Sequence, residues 1–332
     1  MSSELVPRGA TPEMVVPEHM REAHAAAWAY ARDSIARNTQ IAYQKDWAAW
    51  ISWCKENDLP SLPTKAICIA WYASKLADAG KSWSTIDRCV SGILFVHQAA
   101  GHTDAYRKHP DLRPVLRGIA RNSRQPKRKD ALLPSHMRKL IAATEPGAAG
   151  MRDRAMLLVW WAGAFRRSEV VGINLEDVSE QHEGFLIMLH KTKTDQVGAG
   201  YPIGIPYSSD SRMCPVRALR TWIEALDFHG YVSGPLFRRL DGAYHVLPDR
   251  LSDHGAARMV KRYAQRAGMN PKTVSGHSLR SGFVTTMTLL DRPAQKIATQ
   301  TRHRSLNTLL DYVRVADAVR DNPASGGLDS KY

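Results

Sequence analysis

Residues 23–123 carry apolar side chains at intervals of three and four, the spacing of one face of an α-helix. Tyr43, Trp47, Trp50 and Cys54, for example, follow one another at steps of four, three and four. Glycine or proline residues interrupt these stripes, and both residue types end helices. The pattern therefore predicts an all-helical region around an apolar core, with helices over 34–57, 64–80, 84–101 and 111–124.

From about residue 134 onward the pattern is mixed. Residues 151–165 are apolar nearly all round, which is typical of a buried helix. Two short apolar runs, 183–190 and 199–206, flank the polar segment KTKTDQVG and predict a hairpin of two antiparallel strands. Further helices are predicted over 134–145, 215–227, 250–268, 277–290 and 306–317. The expected fold class is mainly α: a helical domain, then an α+β domain with one small antiparallel sheet.

These patterns divide the chain into four segments. Residues 1–22 are polar and are expected to be flexible. Within them, residues 5–9 (LVPRG) match a protease-cleavage linker and are either native or carried over from expression. Residues 23–123 are expected to form the helical domain, 124–134 a basic linker, and 135–332 the second domain with a C-terminal tail.

The charge balance indicates a polyanionic partner. The chain of 332 residues has 46 Lys and Arg against 32 Asp and Glu, a net charge of +14. Such an excess opposes compaction through self-repulsion unless a polyanion neutralises it. Nucleic acid is the first expectation and an anionic membrane surface the second. The membrane is disfavoured because no basic amphipathic helix has a Trp/Leu insertion face.

The sequence also bears on the compartment. It contains no apolar run of about 18 residues that would span a membrane, and no pattern of a secretory signal. Its four cysteines lack the spacing of a disulfide framework or a metal site and are expected to be buried thiols: Cys54, Cys68, Cys89 and Cys214. These features favour the reducing cytoplasm.

A stripe of arginines marks the end of the helical region. Arg113, Arg117, Arg121 and Arg124 recur at steps of four, four and three, so they lie on one face of a helix. Without interleaved acids they repel one another, and a phosphate backbone would relieve that repulsion. The alternative is a solvated charged face. The DNA-contacting set predicted here also includes the basic residues that follow: Lys127, Arg128 and Lys129.

Several side chains of the second domain could act on a phosphodiester. They occur in short groups along the chain: Arg166, Arg167 and Glu169; Lys191 and Lys193; His277 and Arg280; His303 and Tyr312. Each group alone is ordinary, since arginine pairs and hairpin lysines are usually solvated and a tyrosine among leucines is usually packed.

The other histidines lack metal-ligand spacing, and His97 on an apolar helix face is expected to be packed. Neither a metal nor a cofactor is therefore predicted.

The order of these groups resembles the tyrosine recombinase family, most closely its Cre-like members. The resemblance extends over about residues 23–315, including RRSE, KTKT, HSLR and a tyrosine nine residues after a histidine. It implies a helical core-binding domain and a catalytic domain that close around double-stranded DNA. It also implies a homotetramer on inverted-repeat sites, in a bacterium, phage or mobile element and associated with the nucleoid. The catalytic set that it implies is Arg166, Glu169, Lys193, His277, Arg280, His303 and Tyr312.

The chemistry of these residue types agrees with the resemblance. A tyrosine can conserve the energy of a DNA phosphodiester in a 3′-phosphotyrosine link. Arg166 and Arg280 can bind the oxygens on which negative charge develops. Lys193 is the expected acid for the leaving 5′ oxygen. His277 lies three residues from Arg280, so both are on one helix face, and its imidazole can either accept the tyrosine proton or form a hydrogen bond to the phosphate.

Two alternatives and one departure from the family remain. A type IB topoisomerase shares the phosphate chemistry, and a catalytically weak DNA-binding protein could use the same scaffold. The residue before the family's His/Trp position is normally glycine, but here it is Arg302. Either the Arg302 side chain points outward, free to reach a DNA phosphate, or its backbone is strained in a left-handed conformation.

Overall fold

The computed structural model describes residues 17–23, 26, 30, 36–102, 106–123, 129–190 and 200–302. The chain divides into two compact units, Met1–Lys127 and Arg128–Tyr332. Each is considered by itself. The assignment of the first unit to core binding and of the second to catalysis stays a prediction.

The first unit is helical, as predicted. Its helices are α1 (Arg37–Glu56), α2 (Ala66–Asp78), α3 (Trp83–Ala99) and α4 (Arg113–Asn122), with 3₁₀ turns at Glu18–Met20 and Tyr106–Lys108. The helix ends follow local chemistry: the Ser82 hydroxyl accepts a hydrogen bond from the Thr85 N–H at the start of α3.

The apolar stripes of α1, α2 and α3 meet in the core of this unit. Trp50 is fully buried, and its ring lies 5.2 Å from that of Tyr72, edge to face. His97 is also fully buried, and its Nδ1 lies 2.8 Å from the Ile93 carbonyl, so Nδ1 carries the proton. Burial lowers the pKa of His97. This histidine is therefore a packed core residue, as expected.

The second unit surrounds a larger core. Its helices are α5 (Pro134–Ala142), α6 (Ala148–Ala162), α7 (Arg167–Gly172), α8 (Pro215–Phe228), α9 (Asp253–Arg266), α10 (Gly276–Leu289) and α11 (Ala294–Thr301), with 3₁₀ turns at Leu175–Asp177 and Ser211–Met213. Helix α6 is buried on nearly all sides, as its composition predicts. The predicted helix 306–317 lies outside the described residues.

Two small antiparallel sheets are present among the described residues, where one was predicted. The first has the order β1 (Val178–Gln181), β2 (Gly184–Leu189), β3 (Tyr201–Pro206), and it pairs Phe185 with Ile205 and Ile187 with Ile203. The second consists of β4 (Arg238–Leu240) and β5 (Val246–Arg250). The polar, mostly exposed β1 and the short β4 lack an apolar alternation, which explains why the sequence pattern missed them.

The described part of the chain bears on two expectations, the absence of a membrane-spanning segment and the burial of the cysteines as free thiols. No helix in it is long and apolar enough to cross a membrane. All four cysteines lie in it, and each is a buried, free thiol.

Candidate active site

The turn between α6 and α7 is the centre of the candidate site. The Trp160 indole N–H donates to the Phe165 carbonyl at 2.8 Å, which fixes the turn to α6. A Cβ on Gly163 would lie only 2.1 Å from the Phe165 ring, so the turn needs glycine there. Ala164 has a positive φ of 45°. This conformation leaves the carbonyls of Gly163 and Ala164 available to guanidinium groups described below.

Arg166 and Glu169 hold each other at the start of α7. Glu169 Oε2 accepts a hydrogen bond from the backbone N–H of Arg166 at 2.7 Å, and Oε1 accepts one from the guanidinium Nη1 of Arg166 at 2.6 Å. The Glu169 side chain is buried, whereas that of Arg166 is 25% exposed. The carboxylate therefore caps α7 and orients a guanidinium that solvent or a ligand can still reach. The neighbouring Arg167 faces away and pairs with Asp253 at 3.3 Å.

Glu169 stays ionised although it is buried. Burial alone would raise the pKa of Glu169. Arg302, the Arg166 N–H and the Arg166 guanidinium act in the opposite direction, and together they lower the pKa of Glu169 below its ordinary value. The carboxylate is therefore a permanent anion among arginines at neutral pH.

Helix α10 carries the histidine and arginine that the sequence placed three residues apart. At its start, a Cβ on Gly276 would come within 2.4 Å of the Trp160 ring, so only glycine lets α10 approach α6 this closely. Arg280 is buried: its Nη1 donates to the Ala164 carbonyl at 2.6 Å and its Nη2 to the Thr301 carbonyl. Arg280 thus connects the α6–α7 turn to the end of α11.

His277 lies on the outer side of the same helix end and is exposed. Protein on its other sides removes part of its hydration, and Arg280 and Arg166 add positive charge nearby. Both effects lower the pKa of His277 below its ordinary value. The imidazole is therefore neutral at physiological pH, which is the form that accepts a proton.

One of the two expectations for Arg302, a side chain that points outward, is wrong. Its backbone is left-handed, with φ 56° and ψ 43°, at the end of α11. Its side chain does not point outward: it is buried, and Nη2 lies 2.8 Å from Glu169 Oε2. The partners are 133 residues apart in the chain, so no local pattern could have revealed the pair.

The structure brings together Arg166, Glu169, His277 and Arg280 from the predicted catalytic set. Lys193, His303 and Tyr312 lie outside the described residues, as do Arg124, Lys127 and Arg128. Lys129 belongs to the second unit, and its Nζ donates to the Lys272 carbonyl at 2.5 Å. In the first unit, α4 exposes the other three arginines of the stripe: Arg113, Arg117 and Arg121.

Comparisons with known proteins agree with this geometry. The model of the phage integrase family matches residues 130–318. An integrase/recombinase XerD homologue of Selenomonas ruminantium is 34% identical over 293 residues, which is 87% of this chain and 85% of the relative. A tyrosine recombinase of Synechococcus elongatus is 28% identical over 300 residues, 84% and 85% of the two chains.

Two solved structures share the fold of this chain. The Tn1549 transposon integrase in complex with transposon right end DNA superposes with a TM-score of 0.62 and 15% identity, over 89% of this chain and 97% of that one. The XerH site-specific recombinase, bound to a palindromic difH substrate after cleavage, has a TM-score of 0.59 and 13% identity over 81% and 73%.

The family match covers more than half of the chain, so this protein belongs to the phage integrase family and is a tyrosine recombinase. The predicted fold class, family and enzyme class are confirmed, in preference to the topoisomerase and the catalytically weak DNA-binding protein. The Cre-like description is loose, because several of the matching relatives are named XerD.

Proposed function

We propose that this recombinase cleaves and rejoins double-stranded DNA at specific sites through a covalent bond between Tyr312 and the 3′ phosphate. The observation that carries the proposal is the cluster of arginines around one carboxylate. Among the described residues, Arg166 and Arg302 bond to Glu169 and Arg280 bonds to the carbonyl of the same turn, so three positive charges accompany one negative charge and the site favours an anion. The partial exposure of Arg166 gives a DNA phosphate access to that charge.

In the proposed reaction the Tyr312 oxygen forms a bond to phosphorus while the bond from phosphorus to the 5′ oxygen breaks. His277 accepts the tyrosine proton, and Lys193 donates a proton to the leaving 5′ oxygen. Arg166 and Arg280 offset the negative charge that spreads over the other phosphate oxygens, and His303 assists there. Attack of a free 5′ hydroxyl on the phosphotyrosine reverses these steps and reseals the strand. Because one ester replaces another, the proposed reaction requires no ATP. The arginines supply the positive charge that a metal ion supplies in other phosphoryl transfers, so no metal ion is proposed.

We further propose that a homotetramer joins two DNA duplexes at inverted-repeat sites. The support comes from the relatives: the XerH structure holds a palindromic substrate, and the lambda integrase structure contains a dimer on a core site. The net charge of +14 fits DNA as the partner. The bacterial relatives support action on the DNA of a bacterium, phage or mobile element, at the nucleoid.

Strand exchange between two duplexes tests this function. Candidate sites are cloned from the DNA that flanks the gene, where paired inverted repeats around a short spacer are expected. A labelled linear site and a plasmid-borne site are incubated with the protein, and the recombinant junctions are sequenced. We expect reciprocal junctions at one defined spacer. Relaxation of supercoiled plasmid without any junction would contradict the proposal and favour nicking and closing.

The arginine stripe on α4 is proposed to hold the DNA backbone rather than to read bases. Replacing Arg117 and Arg121 together with alanine should weaken binding to specific and nonspecific DNA about equally. The slope of log K against log salt should fall by about 1 to 2, since each lost phosphate contact removes roughly 0.9. Filter binding at several salt concentrations measures this slope.

A matched variant controls for net charge alone. Lys55 and Lys75 are exposed lysines of α1 and α2, and replacing both with alanine removes the same two charges. This variant should keep the wild-type slope. Loss of specific binding alone in the Arg117 and Arg121 variant would mean that the stripe reads base edges.

A further inference from the structure

Arg302 occupies the position before His303 where the family resemblance leads us to expect glycine, and the structure gives it an unusual environment. A left-handed backbone is unfavourable for a residue with a Cβ, because the Cβ approaches the following carbonyl. A buried guanidinium also needs partners for its charge and its N–H groups. Arg302 combines both features at the end of α11. Specific contacts must therefore stabilise it.

Those contacts converge on the α6–α7 turn. Arg302 Nη2 donates to Glu169 Oε2 at 2.8 Å and to the Ala164 carbonyl at 3.2 Å. Nη1 donates to the Gly163 carbonyl at 3.3 Å and to the Gln300 carbonyl at 2.8 Å. Arg302 thus connects the end of α11 to the turn that follows α6 and ends at Arg166. The next residue in sequence after Arg302 is His303.

The charges explain why such a tie matters. Glu169 Oε2 is shared between the Arg166 N–H and Arg302, whereas Oε1 is bonded to the Arg166 guanidinium. Without Arg302, the single charge of Glu169 would be balanced by Arg166 alone. With Arg302, the carboxylate is held from a second side, and more of the positive charge of Arg166 is left for a ligand.

We propose that Arg302 is a positioning residue of the recombination reaction: it holds Glu169 and the α6–α7 turn, and through them it orients Arg166 toward the DNA phosphate. This inference rests on the proposed function. Arg302 itself is buried, so it acts through Glu169 rather than by touching DNA. Arg280 holds the Ala164 carbonyl at 2.6 Å and the Trp160 indole holds the Phe165 carbonyl at 2.8 Å, so the turn keeps both anchors when Arg302 is replaced.

The test compares Arg302→Gly and Arg302→Lys with the wild type in single-turnover cleavage of a nicked suicide substrate at saturating protein. We expect Arg302→Gly to cleave about a hundredfold more slowly, because small displacements of a catalytic group have effects of about this size. Lysine keeps the charge and should restore part of the rate. The dissociation constant for DNA should stay within about twofold for both variants, because the buried side chain makes no DNA contact.

A second left-handed residue controls for the backbone. Asp58 has φ 53° in the first unit, after the end of α1. Asp58→Gly relieves the same kind of backbone strain outside the unit that carries the site, and it should cleave at the wild-type rate. Thermal unfolding of each variant checks that the protein is folded.

Two readouts separate positioning from a purely structural role. In the Glu169→Gln background, the further change Arg302→Gly should slow cleavage by much less than a hundredfold, because both changes remove the same interaction. The second readout is the pH dependence of the single-turnover cleavage rate. The positive charge of Arg302 is the largest single effect that lowers the pKa of Glu169, so the acidic limb of the rate profile of Arg302→Gly should move to higher pH. Among the described residues, the other charged or titratable groups near this pair are Arg166, Arg280, His277 and Tyr201.

Four outcomes decide the inference. Slow cleavage with unchanged affinity, partial restoration by lysine and a non-additive double variant support it. Wild-type or faster cleavage by Arg302→Gly overturns it while the proposed function stands. Weaker DNA binding with unchanged cleavage at saturation overturns it in favour of a DNA contact. If the wild type itself forms no covalent complex, the proposed function fails, and this inference fails with it.

Discussion

Tyr312→Phe is expected to bind DNA as the wild type does and to form no covalent complex with it. Phenylalanine keeps the ring but lacks the hydroxyl oxygen that would bond to phosphorus. A nicked suicide substrate loses its short downstream strand after cleavage, so the wild type accumulates as an SDS-stable adduct. For Tyr312→Phe, the adduct should fall to the background of a reaction without protein.

Tyr201 supplies the matched control. It lies in β3, and its hydroxyl donates to the Thr299 carbonyl of α11 at 3.1 Å. Tyr201→Phe removes a tyrosine hydroxyl from the same unit and should still form the adduct. An adduct that persists in Tyr312→Phe and is lost in Tyr201→Phe would move the nucleophile to Tyr201.

Lys193→Ala is expected to slow cleavage by about 10² to 10⁴-fold, the usual contribution of a general acid. The defect should largely disappear on DNA whose scissile 5′ oxygen is replaced by sulfur, because a thiolate leaves without being protonated. Arg166→Ala should stay slow on this substrate, since Arg166 stabilises the phosphate oxygens rather than the leaving group. Single-turnover rates on both substrates measure the difference.

Lys191→Ala is the control for the lysine assignment, because Lys191 belongs to the same polar segment. It should cleave at close to the wild-type rate on both substrates. Equal rescue of Lys193→Ala and Arg166→Ala by sulfur would show that Lys193 transfers no proton. Rescue of a slow Lys191→Ala alone would move that role to Lys191.

The helices of the first unit were predictable because each carries its own signal. Trp47, Trp50 and Cys54 recur at helical spacing, and the structure buries all three. The buried helix α6 was predictable from its nearly continuous apolar composition. The short elements were not, since β1, β4 and the six-residue α7 have few apolar positions and are stabilised by neighbours distant in sequence.

The candidate site was predictable to the extent that its residues occur in a characteristic order. The sequence indicated Arg166, Glu169 and Arg280, and the structure places these three around one turn. The tie between Arg302 and Glu169 was not predictable, because it joins two side chains that are adjacent only after folding. The same is true of the lowered pKa of Glu169, whose direction depends on both arginines.

The covalent bond itself is the most direct test of the account. Wild-type protein is trapped on a suicide substrate and digested with trypsin and nuclease, and the nucleotide-bearing peptide is sequenced by mass spectrometry. The proposed mechanism predicts a single modified residue, Tyr312, joined to the 3′ phosphate of the cleaved strand. A link to a 5′ phosphate, a modified residue other than Tyr312, or cleavage without any protein–DNA bond would contradict it.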